Sequence, residues 1–225
     1  MIVVTGANGL LGSHLLNRFS KENVPVVGIK KPDSDITHLK HLAQIEWRNA
    51  DLLDTESMMQ ALQGASTVIH TAAQVSFNPR ARKKIIEVNE GGTRNVVNAC
   101  LALKVNHLIH VSPIAAIGRQ KGFHHINEDS KWVDGELNTD YAESKYLAEL
   151  EAWRGHEEGL KVSIINPSVI LAPPNQVKSS SQIFHYVLNE KLFYTEGQIN
   201  FVDVRDVVEM IWQMHLRKIY GERFI

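Results

Sequence analysis

Short runs of β-branched and other apolar residues recur along the chain, separated by longer stretches in which apolar residues return every three or four positions. Residues 2–5, 26–29, 45–48, 67–70, 107–111 and 162–165 read as strands, and residues 10–21, 55–62, 81–103 and 141–158 as helices. Regular alternation of the two predicts an α/β fold with a parallel sheet. Because crossovers between parallel strands are short and right-handed, a doubly wound sheet is the economical topology. The regularity breaks after Pro167, where Ala172-Pro173-Pro174-Asn175 and Ser179-Ser180-Ser181 have loop chemistry and residues 182–189 read as a helix. A further helix is expected over 204–216, and 221–225 resembles the start of one more strand. No internal repeat is present.

Composition narrows the class. A chain of 225 residues suits one large domain with a core, and 44% hydrophobic with 22% charged residues is ordinary for a folded globular protein. With 24 Lys+Arg against 25 Asp+Glu the formal net charge is -1, so nothing favours a nucleic-acid or membrane-surface partner. Cys100 stands alone and cannot form an intrachain disulfide, which suits a reducing compartment. No apolar run approaches the roughly 18 residues of a membrane span, and the N-terminus lacks a basic segment, apolar run and cleavage site. A cytoplasmic location is expected. The eleven histidines are scattered, and pairs such as His107 with His110 or His124 with His125 lack acid or cysteine companions at ligand spacing. They read as ordinary core or surface histidines, and no metal site is expected.

The chemistry starts at the N-terminus, where an apolar strand runs into Thr5-Gly6-Ala7-Asn8-Gly9-Leu10-Leu11-Gly12. Glycines three apart between a strand and a helix allow a tight turn, close approach of backbone to a pyrophosphate, and packing of helix on strand. The helix N-terminus beyond offers unpaired N–H groups to phosphate. In this context the motif points to a dinucleotide. Sites selective for NAD place a carboxylate at the end of the second strand, whereas here that end is Ile29-Lys30-Lys31-Pro32, with Asp33 the nearest acid. Lys30 and Lys31 suit a 2′-phosphate, and NADP(H) is favoured over NAD(H). The alternative is a pair of solvated surface lysines.

At the other end of the chain, Tyr141-Ala142-Glu143-Ser144-Lys145 places a tyrosine and a lysine four apart on one helix face. A nearby ammonium stabilises a phenolate and lowers its pKa, which equips Tyr141 to exchange a proton with a carbonyl oxygen. The pair is common on helices as a mere surface contact. It gains meaning here from the dinucleotide motif on the same predicted sheet.

Taken with Asp51-Leu52, His70-Thr71-Ala72-Ala73, Asn89 with Gly92-Thr93, Asn166-Pro167-Ser168 and Val202-Asp203-Val204-Arg205-Asp206-Val207, these motifs resemble an extended short-chain dehydrogenase/reductase across nearly the whole chain. Within that superfamily the chain is most similar to the NAD-dependent epimerase/dehydratase group, on the side of dihydroflavonol reductase-like proteins. The resemblance implies a Rossmann domain over residues 1–166. Residues 167–225 would be a partial substrate lobe interleaved with the last part of the sheet. It further implies that Asp51 and Leu52 border the adenine, that Thr71, Ala72 and Ala73 line the pyrophosphate and ribose, and that Asn89 belongs to the cofactor site. Pro167 and Ser168 would sit by the nicotinamide. Asp203, Arg205 and Asp206 read better as a surface ion-pair latch.

Three departures from the family pattern bear on function. The family's substrate-binding Ser or Thr, five residues before the glycine matching Gly118, is replaced by Pro113, which has no donor. Ser112, one residue earlier, is the remaining candidate, and strand alternation turns it to the opposite face. Losing such a donor costs about 10²- to 10³-fold in rate. At Leu171-Ala172-Pro173-Pro174 the usual aromatic and Gly-Pro are missing, and the family's C-terminal lobe normally continues well beyond Ile225. The leading expectation is a reductase of small-molecule carbonyls using Tyr141, Lys145 and, weakly, Ser112. A nucleotide-sugar epimerase or dehydratase and a cofactor-binding sensor without turnover are the alternatives. A homodimer packed through the 81–103 and 141–158 helices is the family-level expectation.

Overall fold

The computed structural model describes residues 1–119, 121–122, 125–172, 182–190 and 197–225. Seven parallel strands form one sheet in the order β3-β2-β1-β4-β5-β6-β9: β1 (Ile2–Thr5), β2 (Val26–Lys30), β3 (Glu46–Asn49), β4 (Thr67–His70), β5 (His107–Val111), β6 (Val162–Ile165) and β9 (Glu222–Phe224). This is the doubly wound arrangement expected, and β9 is the extra strand suggested by residues 221–225. Strands β7 (Val169–Leu171) and β8 (Phe201–Asp203), which the hydrophobic pattern does not reveal, pair as a separate parallel ribbon. At three residues each they are too short for a period of two to register.

Helices cover both faces. On one side α1 (Leu10–Lys21) lays Leu11, Leu15, Leu16 and Phe19 against Val4, Ile69 and Ile109, the i, i+4, i+5, i+8 stripe of a helix buried on one face. Helix α7 (Val204–Arg217) packs beside it with Val204, Val207, Val208, Ile211 and Trp212, whose ring meets Phe19 at 5.4 Å. Asp203 caps α7 by accepting from Arg205 N at 2.8 Å and pairs with the Arg205 guanidinium at 2.6 Å, so two of the three residues of the expected ion-pair cluster come together, two positions apart in the chain. On the other side lie α2 (Thr55–Ala61), α4 (Gly92–Ala102) and α5 (Asp140–Glu157), facing Val3, Val27, Val68, Leu108 and Ile164. Helix α5 buries small residues, Ala148, Ala152 and Gly155, and a Cβ on Gly155 would stand 2.6 Å from Val97 of α4. That closeness draws α5 against α4.

The single helix expected over 81–103 is instead broken. A 3-10 turn (Pro79–Ala81) and α3 (Arg82–Ile86) lead into a π turn (Glu87–Gly91), and only then does α4 begin. Close packing at the start of α4 accompanies the break: a Cβ on Gly92 would lie 2.9 Å from the Leu52 Cβ. The wide turn lets Asn89 project toward the loop after β4, as π turns in functional regions commonly do. Residues 182–189 were expected to be helical and α6 spans Gln182–Leu188, whereas the loop stretches 173–175 and 179–181 and His124 lie outside the described residues. Among the described residues no helix is long and apolar enough to cross a membrane.

Because Ile109 is fully buried in a central strand, Ile109→Ala is expected to lower unfolding free energy by about 2–5 kcal/mol. Leu150→Ala, on the exposed side of α5, should stay within about 0.5 kcal/mol. Urea denaturation of both variants checks the pair.

Candidate cofactor and active site

Strand order reverses direction between β1 and β4, and in open parallel sheets ligands bind outside the carboxyl ends of the strands at such a switch point. The two loops that leave there touch. Gly6 takes φ +64°, and a Cβ on it would lie 2.7 Å from the Ala72 Cα, so both the backbone conformation and the neighbouring loop require glycine. Gly12 is tighter still, its Cβ position lying 2.3 Å from the Gly6 carbonyl oxygen, which brings α1 directly under the turn. The loop is pinned by Gly9 N–H to Gly6 O at 2.9 Å and Ala7 N–H to Ile29 O at 3.1 Å.

Gly9 is exposed at the N-cap of α1, with no side chain capping the helix and no acid in its first turn. Asn8 and Leu10 flank it half-buried, and Leu11 anchors the helix in the core. The first amides of α1 are therefore presented by bare backbone and carry no competing negative charge. That arrangement fits a dinucleotide's diphosphate. The hydroxyl of Thr71 is committed within the fold, donating to Thr5 O at 2.7 Å.

At the ends of β2 and β3 the two lysines differ. Lys31 Nζ lies 3.4 Å from Asp51 Oδ2, whereas Lys30 Nζ folds back onto the Pro32 carbonyl at 2.8 Å. Asp51 also accepts from Leu53 N at 2.9 Å, and this bond, opposed by partial burial and helped by Lys31, holds its carboxyl below the usual range. Leu52 is buried against Gly92. Lys31 and Asp51 thus come together, and Lys30 does not join them.

On α5, capped by Thr139 accepting from Ala142 N at 3.1 Å, Tyr141 and Lys145 occupy successive turns. Tyr141 is half-buried with its ring edge-on to exposed Phe77 at 5.7 Å, and burial pushes its phenol up to about 12. Lys145 is almost wholly buried, with Nζ 3.4 Å from Val111 O; burial pushes it down to about 8, against the pull of Glu149. The phenol is accordingly a proton carrier at neutral pH. The expected lowering of its pKa is absent here, because desolvation dominates.

Ser112 is fully buried, and its Oγ finds no hydrogen-bond partner among the described residues. Alternation along β5 from Leu108, which packs on the α4 and α5 side, puts His110 and Ser112 on that side too. The serine is thus enclosed near Lys145 and does not face solvent. Pro113 caps the following 3-10 turn (Ile114–Ile117), and Ile114 N–H reaches Pro167 O at 2.9 Å, tying buried Pro167 and half-buried Ser168 to the end of β5.

Several contacts among the polar residues here were not foreseen from the sequence. Thr5 Oγ1 and His70 Nδ1 are 2.7 Å apart, His70 Nε2 and Thr93 Oγ1 3.1 Å, and the Thr93 hydroxyl donates to Asn89 O at 2.7 Å. Asn89 spans the gap to α5: its Oδ1 accepts from Gln74 N at 2.7 Å, and its Nδ2 donates to Gln74 O and Ser144 Oγ, both at 2.9 Å. Ser144 then donates to Tyr141 O at 2.8 Å. Glu149 accepts from Asn166 Nδ2 at 2.9 Å and pairs with Arg223 of β9. The available signal was a polar residue at an inward position of an apolar strand, as Thr5, His70 and His110 are.

The sequence of this chain matches the model of the Epimerase family, described as the NAD dependent epimerase/dehydratase family, over residues 2–224. The chain belongs to that family. Among curated proteins the chain is similar to "Sterol demethylase protein B" of Methylococcus capsulatus, 31% identical over 99% of this chain and 68% of that protein. Another relative is "Cinnamoyl-CoA reductase 1" of Petunia hybrida, 29% identical over 92% of this chain and 66% of its own length. This chain thus spans about two thirds of the length of the curated relatives it matches. Among solved structures, gox2253 superposes with a TM-score of 0.89 at 28% identity, covering 100% of this chain and 69% of that one. The dTDP-glucose 4,6-dehydratase DesIV of Streptomyces venezuelae, solved with NAD and TYD bound, shares the fold at a TM-score of 0.79 and 22% identity, over 99% and 74% of the two chains.

Burial pushes His70 from 6.5 down to about 3. An unfolded chain takes up a proton below pH 6.5 that the folded protein refuses until about pH 3, so stability is full above 6.5 and declines as pH falls toward 3. The expected loss is about 1.4 kcal/mol per pH unit well inside that window. Urea midpoints measured from pH 7.5 to 5 should show it, with a shallower slope in His70→Phe.

Proposed function

We propose that this protein is an NADP(H)-dependent reductase of a small-molecule carbonyl, with Tyr141 as proton donor and Lys145 as the charge that supports it. The observation that carries the reading is the placement of both side chains on α5, linked through Ser144 and Asn89 to the loops flanking Gly6. Gly6, Asn8, Gly9, Leu10, Leu11 and Gly12 would hold the diphosphate. Asp51 and Leu52 would border the adenine, Thr71, Ala72, Ala73 and Asn89 the ribose side, and Pro167 and Ser168 the nicotinamide. When bound, the nicotinamide supplies the hydride.

The protein's own contribution is to the oxygen. Tyr141 O–H gives its proton to the carbonyl oxygen as the adjacent carbon accepts the hydride, leaving an alcohol and a phenolate. Lys145, one turn away and cationic below about pH 8, stabilises that phenolate until it is reprotonated. Pro113 offers no donor and the Ser112 hydroxyl is enclosed. The substrate oxygen therefore relies on Tyr141. The same two features favour, as a second reading, a sensor that binds the dinucleotide without turnover.

NADPH oxidation against a panel of ketones, aldehydes and nucleotide-sugars separates the readings. Tyr141→Phe should reduce kcat by about 10²- to 10⁴-fold, with dinucleotide affinity little changed. Binding without turnover on any of these substrates, unrescued by Pro113→Ser, would establish the sensor instead. Titrating both cofactors tests the phosphate preference: Lys31→Ala should weaken NADPH by about tenfold and leave NADH unaffected, whereas an equal loss for both would refute the 2′-phosphate role.

A further inference from the structure

The polar side chains between the sheet and α4 and α5 form a hydrogen-bond chain whose direction can be read, and His70 stands in its middle. The Thr93 hydroxyl spends its proton on the Asn89 carbonyl at 2.7 Å, so toward His70 its oxygen can only accept. The ring nitrogen facing it at 3.1 Å, Nε2, must carry the proton. Nδ1 is then the acceptor, and the Thr5 hydroxyl 2.7 Å away donates to it. With its own proton so committed, Thr5 Oγ1 accepts from Ala72 N–H at 3.4 Å. Every group between the Ala72 amide and the Asn89 carbonyl has one assignment.

The two ends of this chain are the two ends of the site. Ala72 is the residue against which Gly6 packs so closely that a Cβ would lie 2.7 Å from its Cα, so fixing the Ala72 amide fixes the partner surface of the dinucleotide loop. Asn89 holds the backbone of Gln74 from both sides and reaches Ser144, which bonds the Tyr141 carbonyl. His70 itself is 1% exposed, and its neighbours Val68 and Ile69 are apolar. Burying an imidazole in such a place costs free energy unless its nitrogens are hydrogen-bonded, and at His70 both are. His110, its strand neighbour with ring centroids 5.3 Å away, has neither nitrogen bonded among the described residues and takes no part.

We propose that His70, locked as the neutral Nε2–H tautomer, is a positioning residue that couples the order of the dinucleotide-binding loop to the placement of Tyr141 on α5. In its bearing on Tyr141 the inference rests on the proposed reductase reading, but its link to cofactor binding does not. His70 touches neither cofactor nor substrate in this role. It acts through Thr5 on one side and through Thr93 and Asn89 on the other.

The test has one arm without turnover and one with it. Nitrogen-15 spectra of the wild-type protein, with the His70 signals assigned by comparison with His70→Gln, should show a protonated Nε2 and a bare Nδ1. A protonated Nδ1, or a doubly protonated ring at neutral pH, would overturn the proposal. In fluorescence titrations with NADPH, His70→Phe, which keeps the ring volume and removes both nitrogens, should bind about tenfold more weakly. His70→Gln can donate with its amide nitrogen and accept with its oxygen, and should recover to within about threefold. A folded His70→Phe whose thermal midpoint falls while its NADPH affinity stays within twofold of wild type is a structural residue only, and the coupling is then wrong. Should His70→Phe fail to fold, Thr93→Val removes the acceptor of the Nε2 proton and is held to the same expectation. Retained turnover in Tyr141→Phe would sink the reductase reading while leaving the spectra and affinities to decide this one.

Discussion

At the switch point of the sheet two backbones come closer than any side chain permits. The turn after β1 and the loop after β4 leave neighbouring strands in divergent directions, and Gly6 fills the angle between them with its Cα alone, where a Cβ would press on the Ala72 backbone at 2.7 and 2.8 Å. Parallel pairing of β1 with β4, from Ile2 opposite Thr67 to Thr5 opposite His70, sets that distance. Everything at the carboxyl end of the sheet follows from it. The bare N-terminus of α1 can face the switch point because Gly12 lets the helix pass beneath the turn, and the loop carrying Thr71 to Ala73 lies near enough to be hydrogen-bonded to Thr5.

Beneath that junction the core changes character. Along most of their length the central strands carry Val, Ile and Leu on both faces, as buried parallel strands do. At the last inward position of each, polar groups take over: Thr5, His70, His110 with Ser112, and Asn166. Buried polar groups cost free energy unless paired: Thr5 and His70 are paired in one connected set reaching Ser144 of α5, Asn166 bonds separately to Glu149 of α5, and His110 and Ser112 find no partner among the described residues. The phenol of Tyr141 and the amine of Lys145 therefore project from a helix positioned by hydrogen bonds as well as by the packing of Ala148, Ala152 and Gly155. Such bonds have direction, and packing of small apolar residues does not.

What was readable in the sequence divides along the same line. The central strands, most of the helices and the glycine turn follow from local rules, since apolar periodicity and a Gly-rich strand-to-helix junction are visible within a dozen residues. The ion pair of Asp203 with Arg205 was equally local. The π turn at Glu87–Gly91 was not, because its setting includes contact between Gly92 and Leu52, forty residues away in the chain. Nor was the partnership of His70 with Thr5 and Thr93, at separations of 65 and 23 residues. A histidine in an apolar strand looks the same in sequence whether it is a satisfied core residue or a link in a site, and only its partners distinguish the two. The pair of lysines after β2 is a similar case, since only the structure shows Lys31 turned to Asp51 and Lys30 turned back on its own loop.

The buried charge of Lys145 shows how far the supporting structure must extend. Desolvation alone would favour the neutral amine, and the nearby histidines, themselves held neutral by burial and by this cation, offer no compensating charge. Glu149, one turn further along α5, supplies the opposing attraction. A buried carboxylate is itself costly without partners, and this one is held by Asn166 at the end of β6 and by Arg223 in β9, whose guanidinium also donates to Ser130 O at 3.2 Å. The outermost strand of the sheet thus acts on Lys145 of α5 through a single carboxylate. Its parallel pairing with β6, Ile164 opposite Arg223, places that guanidinium. Strand β9, three residues long and poor in packing surface, matters to the site chiefly through the charge it carries.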